Sequence, residues 1–362
     1  MRTSLCDELG IEHPVFGFTP SEHVAAAISR AGGLGVLGCV RFNDADDLDR
    51  ALTWMDENTD GKPYGVDIVM PATVPKEGTQ IDLASLIPQS HKEFVQQTLL
   101  KLGVPPLPDG EGGEGVLGWL HSVARSHVDV ALGHPIRLIA NALGSPPADV
   151  IEQVHAAGVP VAALAGKAEH ARRHVANGVD IVVAQGYEAG GHTGEVATMV
   201  LVPEIADAVD VPVLAAGGIG SGRQAAAAMA LGASGVWMGS YWLTTAEYAL
   251  GNSSTQQALL AAGSSDTVRT RIYTGKPARL LKTRWTEAWT SAEAPEPLPM
   301  PLQNILVSEA HLRIARSDDP SVVSMPVGQI VGRMNEVRPV AAVMADLLAE
   351  FDATVERLTK LR

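Results

Sequence analysis

Short apolar runs of strand length alternate with longer amphipathic stretches through most of this chain. Runs rich in Val, Leu, Ile and Ala fall at 13–18, 34–37, 65–69, 137–140, 159–163, 179–183, 211–215 and 235–238. Such runs, bounded by turn residues and separated by helical patterns, suit strands buried on both faces of a parallel sheet. The spacing between them predicts helices at 22–31, 45–57, 148–157, 168–177, 202–208 and 223–231. Gly32, Gly158, Gly178 and Gly232 each follow one of these helices, where a left-handed residue ends the last turn. Eight strands in βα rhythm predict an α/β fold of the (β/α)8 barrel type.

Two stretches interrupt the rhythm. Residues 71–133 are too long for one crossover and hold predicted helices at 90–101 and 116–131, separated by VPPLPDGEGGEG. Two readings stand: a surface insertion with a mobile tip, or, since it follows strand three, a lining for the substrate entrance. The second stretch, 246–325, follows strand eight and contains APEPLPMP. The organisation expected is a barrel of 1–245 and 326–362, with 71–133 inserted and 246–325 as a small helical or irregular lid. Helices at 327–334 and 340–361 would close the outer ring.

Three strand ends carry glycine-rich loops. AQGYEAGGHTG spans Ala184–Gly194, AAGGIGSGRQ spans Ala215–Gln224, and Gly239–Ser240 follows the last strand. Bare backbone at Gly217 and Gly218, just before a helix, lets N–H groups approach a phosphate. Gly239 and Ser240 repeat the arrangement with a hydroxyl added, in loops where such barrels often bind phosphate. The plainer alternative is a pair of tight βα turns. His192 lies in the first loop, so the spacing proposes a flavin or phosphate site with one ionisable group beside it. An imidazole there can remove an acidic C–H proton or, once protonated, hold an anion; a structural role is the alternative. Gln185 can donate or accept at a polar edge, or simply satisfy its own loop. His170 and His174 stand one turn apart, but no third ligand is evident, so no metal site is expected.

The 362 residues suffice for a barrel of ~250 plus an elaboration of ~100. With 46% hydrophobic and 19% charged residues, the chain can bury a large core. A net charge of −14 disfavours nucleic acid and anionic membrane surfaces. Two cysteines, Cys6 and Cys39, are too few for a disulfide framework. The first residues lack an apolar signal core and no run is long enough to span a membrane, so a cytoplasmic location is expected. A homodimer is left open.

The glycine loops together with GVWMGSYWL resemble the nitronate monooxygenase family, formerly called 2-nitropropane dioxygenases. The resemblance is strongest over 137–245 and reaches GIEHPVFGF, RAGGLGVLG and MPVGQIVG. It implies an FMN-dependent TIM barrel, with phosphate at Gly217, Gly218, Gly239 and Ser240. Gln185, Gly190 and Gly191 would run past the flavin ring and ribityl chain, with His192 catalytic. Three departures stand out. Phe16–Pro20 replaces a Met-Gln-Gly-Gly-Met type segment, placing Phe18 and Thr19 beneath the ring. Asp67 stands where many members have Asn; it could accept from flavin N3–H, but its charge would disfavour an anionic reduced ring. Leu164 replaces a lysine of some relatives. Tyr187, Trp237, Tyr241 and Trp242 either shape the pocket or pack as core. The resemblance implies oxidation of alkyl nitronates by O2 to carbonyl compounds and nitrite. The alternatives are an NAD(P)H-dependent flavin reductase acting on quinones or enoyl thioesters, and a non-catalytic flavin-binding barrel.

Overall fold

The computed structural model describes residues 1–70, 83–108 and 120–361. In chain order the strands are β1 (Val15–Thr19), β2 (Leu34–Gly38), β3 (Tyr64–Ile68), β4 (Ile139–Asn141), β5 (Val161–Ala165), β6 (Ile181–Gln185), β7 (Gly191–His192), β8 (Val213–Ala216), β9 (Gly235–Met238), β10 (Thr267–Thr270) and β11 (Ala278–Leu281). β1 to β6, β8 and β9 form a closed barrel, and β9 returns to pair in parallel with β1. The eight expected strands are all present. Five of them begin two residues later than the apolar pattern suggests, and in three a proline explains the delay. Pro14, Pro160 and Pro212 offer the sheet only a carbonyl, which accepts from Val236, Ile139 and Val182 of the neighbouring strands.

The helices are α1 (Ser4–Leu9), α2 (Glu22–Arg30), α3 (Ala45–Asn58), α4 (Gln89–Lys101), α5 (His121–Ala131), α6 (Ala148–Ala156), α7 (Ala168–Ala176), α8 (Thr198–Ala206), α9 (Gly222–Ala230), α10 (Ser253–Ala261), α11 (Arg284–Ala288), α12 (Leu302–Ala315) and α13 (Val340–Thr359). Ser21 and Ser221 cap α2 and α9 by accepting from Val24 and Gln224 N–H. The four expected terminating glycines have φ between +73° and +99°. α8 starts four residues before its predicted position. Glu188 reaches from the preceding loop to accept from Thr198 N–H at 2.9 Å, which anchors the earlier start. The helix expected at 327–334 is only a 3-10 turn, Gln329–Arg333. There a Cβ on Gly332 would meet Ser264 N at 2.7 Å, so this segment is shaped by close packing. Residues 116–119 of the helix predicted at 116–131 lie outside the described residues.

Barrel packing follows from the strand pleat. Val66 and Ile68 of β3 face the helices, in one cluster with Leu48, Leu52 and Val128. Alternation then turns Gly65 and Asp67 inward. Phe16, Val36, Leu138, Ile181, Leu214 and Trp237 fill the interior, and Leu5, Cys6 and Leu9 of α1 join them, plugging the N-terminal end. Gly35 shows how tightly the layers meet, because a Cβ there would run into the backbone of Ala25 on α2. α13 completes the ring against α9, where Glu350 accepts from Gly222 N–H and Arg223.

The 246–325 segment is not wholly helical or irregular. Besides α10, α11 and α12 it contains the antiparallel pair β10–β11, and β7 adds to the edge of β11. His311 of α12 stacks on Tyr273 at 4.8 Å and meets Trp285 edge-on. α4 packs here too: Phe94 meets Trp289 at 4.9 Å, and Arg313 donates to Val104 and Pro105 carbonyls. Residues 83–108 of the 71–133 insertion therefore lean on this segment, whereas α5 packs on the barrel's own helices and β3; the tip at 109–119 lies outside the described residues. No described helix is long and apolar enough to cross a membrane.

Candidate functional site

Around the barrel the order β6–β8–β9–β1–β2–β3 brings all the expected loops to one C-terminal face. Gly217 and Gly218 have φ of +100° and +70°, a conformation that side chains resist. At Gly217 the space is also closed, since a Cβ would meet Thr198 Oγ1 at 2.9 Å and Gly186 O at 3.1 Å. Among the described residues, the N–H groups of Gly218, Ile219, Gly239 and Ser240 have no acceptor. They lie on adjacent strand ends beside the N-terminus of α9, so they can receive an anion. Ser240 has a second duty, because its Oγ accepts from Gly328 N–H at 2.8 Å. Its own proton is still free to donate.

Gly190 is explained by packing. A Cβ there would meet Gly328 N and the Val327 carbonyl carbon at 2.7 Å, so the bare backbone admits the MPVGQ loop. Gly191 is different: its φ is +71°, with only Pro326 Cβ near at 4.0 Å. The whole loop is pinned by Arg279, which is buried. Its guanidinium donates twice to Tyr187 O, once to Thr267 Oγ1, and lies 4.4 Å from the Tyr187 ring.

The upper interior layer holds Phe18, Asp67, Leu164 and Gln185. Phe18 and Phe16 each stack 6.3 Å from Trp237, and Gly38 leaves room for Phe18, whose ring a Cβ would meet at 3.0 Å. Thr19 is buried and its hydroxyl oxygen accepts from Ser21 N–H, so it shapes the turn after β1. Asp67 is only 2% exposed and, like Gln185, has no hydrogen-bonding partner for its side chain among the described residues. Burial pushes its pKa up to about 8. A neutral carboxyl carries one donor and one acceptor, as an amide does. The objection that Asp67 brings a charge to the site is thus removed near neutral pH.

His192 sits on β7, opposite Ala278 of β11. Its Nε2 lies 2.7 Å from Thr274 Oγ1. Burial, and then the charge of Lys276, lower its pKa to about 4, so the imidazole is neutral at physiological pH. Thr274, Lys276, Arg279 and Glu188 carry no signal in the local sequence. Thr274, Lys276 and Arg279 reach the site through tertiary contacts, while Glu188 lies within the first glycine loop and its role shows only in its bond to Thr198. Of the aromatic candidates, Trp242 is core, with Nε1 donating to Met238 O at 2.8 Å, and Trp237 belongs to the barrel interior. Tyr241 packs partly buried against the core, and Tyr187 keeps an exposed edge. His174 spends both ring nitrogens on Ser145 Oγ and Leu164 O, and does not join His170 in a ligand pair. A separate cleft of about 540 Å³, lined by His23, Trp54, Asn58 and Glu247, contains none of the glycine loops.

These residues fit a flavin. The unbonded N–H groups suit its phosphate, and the unpartnered Asp67 and Gln185 suit the polar edge of its ring. Comparison with known proteins agrees. A Mycobacterium tuberculosis protein named only provisionally as a monooxygenase is 49% identical, covering 100% of this chain and 99% of its own. A Rhodococcus jostii dehydrogenase of a 5-hydroxy-7a-methyl-1-oxo-octahydro-1H-indene-4-carboxyl-CoA is 33% identical, over 78% of this chain and 66% of its own length. The nitroalkane oxidase structure from Streptomyces ansochromogenes superposes with a TM-score of 0.82 at 27% identity, over 98% of this chain and all of that one. The family profile described as Nitronate monooxygenase matches residues 2–350, and this chain belongs to that family of flavin oxidoreductases.

Proposed function

We propose that this enzyme binds FMN and oxidises alkyl nitronates with O2 to carbonyl compounds and nitrite. The observation that carries the reading is a neutral His192 beside the charge of Lys276, on the face that holds the anion-receiving loops. A nitronate is already an anion, so it needs no proton removed. The field of Lys276, which disfavours a second positive charge on the imidazole, favours a negative substrate by the same sign. Gly218, Ile219, Gly239 and Ser240 would hold the FMN phosphate through backbone N–H groups. Asp67 and Gln185 would meet the polar edge of the ring, and Phe18 would lie beneath it. When bound, the flavin supplies the redox chemistry, and the protein supplies orientation and electrostatics. Phosphate capacity at two neighbouring loops supports FMN over FAD, since no second nucleotide module is evident in the sequence.

The dehydrogenase of a carboxyl-CoA among the relatives favours a second reading. In it the same site is an NAD(P)H-dependent flavin reductase acting on enoyl thioesters or quinones. Anaerobic titration of the flavin-loaded protein separates the two. Loss of the flavin absorbance with propyl nitronate, and not with NADPH, is expected. Loss with NADPH alone would transfer the assignment to the reductase, and loss with neither would leave a binding protein.

A further inference from the structure

A single hydroxyl partner decides which nitrogen of His192 carries its proton. A neutral imidazole has one N–H and one bare nitrogen, and its neighbours decide which is which. Nε2 faces Thr274 Oγ1 at 2.7 Å. That oxygen already accepts from Lys276 N–H at 3.3 Å. Thr274 is 7% exposed, and among the described residues its hydroxyl proton has no acceptor except Nε2. Were Nε2 protonated, the buried hydroxyl proton would be left without a partner. The penalty for such an unmade bond favours a bare Nε2 by roughly tenfold or more. The proton then sits on Nδ1. This nitrogen has no partner among the described residues and, unlike Nδ1 of His127, it is not walled in by protein.

We infer that Thr274 is a positioning residue that fixes His192 as the Nδ1–H tautomer, so that His192 meets the substrate as a donor to an anionic oxygen and not as a base. The inference rests on the nitronate reading only for the identity of that oxygen. It also explains the choice of substrate form: a preformed anion accepts from Nδ1–H, whereas a neutral nitroalkane would need a bare nitrogen to take its α-proton. The low proton affinity of the ring and the nearby Lys276 keep the second proton off.

The test is 15N NMR of histidine-labelled, flavin-loaded protein in the oxidised state, with His192 assigned by its disappearance in His192→Asn. Two-bond correlations distinguish the nitrogen that carries the proton from the bare one. Wild type and Thr274→Ser should both show Nδ1 protonated, while Thr274→Val should shift the population towards Nε2–H. Kinetics give a second readout. Thr274→Val should raise KM for propyl nitronate by roughly 5–30-fold with a smaller change in kcat, and Thr274→Ser should restore it. An Nε2–H wild type would overturn the inference, as would an unchanged tautomer in Thr274→Val. Nδ1–H in a protein that does not turn over nitronate would uphold the tautomer and refute the substrate instead.

Discussion

Replacing Gly218 by alanine separates the proposed phosphate loop from the barrel that carries it. Gly218 holds φ at +70°, and a Cβ in that conformation costs roughly 1–2 kcal/mol. Steric crowding adds little, since the new atom would lie 3.4 Å from Glu188 Cβ, an ordinary contact. The loop of the flavin-free protein should relieve the strain by relaxing towards negative φ, which turns the Gly218 N–H out of line. Binding FMN must then restore the strained form, so the whole penalty appears in affinity. Kd should rise by about 5–30-fold, while the melting temperature of flavin-free protein falls by no more than about 4 °C. Fluorescence quenching of FMN by the flavin-free protein gives Kd, and a thermal melt gives the control. Gly217→Ala should behave differently, since its Cβ meets Gly186 O at 3.1 Å and Ala189 N at 3.2 Å, and fold stability should suffer with binding. A Kd within twofold of wild type for Gly218→Ala would place the phosphate elsewhere.

Two further predictions concern pH. Asp67 is protonated up to about pH 8 in the folded protein but ionises near its ordinary value when unfolded, so the unfolded state binds fewer protons and stability falls as pH rises between those values. Asp67→Asn should therefore gain stability over wild type in urea melts, with a gap that widens from about pH 4 to about pH 8; a gap independent of pH would show the carboxyl to be ionised throughout. His192 and His311 act in the opposite sense, because burial lowers both to about 4. The unfolded state then binds more protons below about pH 6.5, and each histidine should contribute up to about 3 kcal/mol of acid destabilisation between there and pH 4. His311→Phe, which can keep the stack on Tyr273, should flatten that acid limb; equal slopes for the two proteins would refute the assignment.

The barrel was legible because its eight strands are mostly short apolar runs, interrupted in β3 only by Asp67, and such a pattern survives small errors at the ends. The starts at Pro14, Pro160 and Pro212 were read early because hydrophobicity does not report which residues lack an N–H. The glycine loops were equally legible as tight turns at strand ends, and Gly217 and Gly218 do hold positive φ. β7 was invisible for a physical reason. A two-residue strand has no periodicity, and its pairing with β11 depends on residues some eighty positions away. Thr274 and Lys276 were hidden with it. The sequence also suggested flavin contact as the reason for Gly190, whereas the backbone of Val327 and Gly328 fills the space where its side chain would be. Asp67 was read with a charge because a sequence shows the residue type but not the absence of a counter-ion.

The addition of β7 to the β10–β11 hairpin has a consequence for how this protein can be re-engineered. His192 belongs to the barrel by connectivity and to the 246–325 segment by hydrogen bonding. A chimera that kept this barrel and took its 246–325 segment from a relative would keep the histidine but exchange the neighbours that set its orientation and proton. Directed evolution confined to the glycine loops would leave that control untouched. The region to diversify is therefore the turn from Arg271 to Pro277, which meets His192 through Thr274 and contains none of the glycine loops at the barrel strand ends.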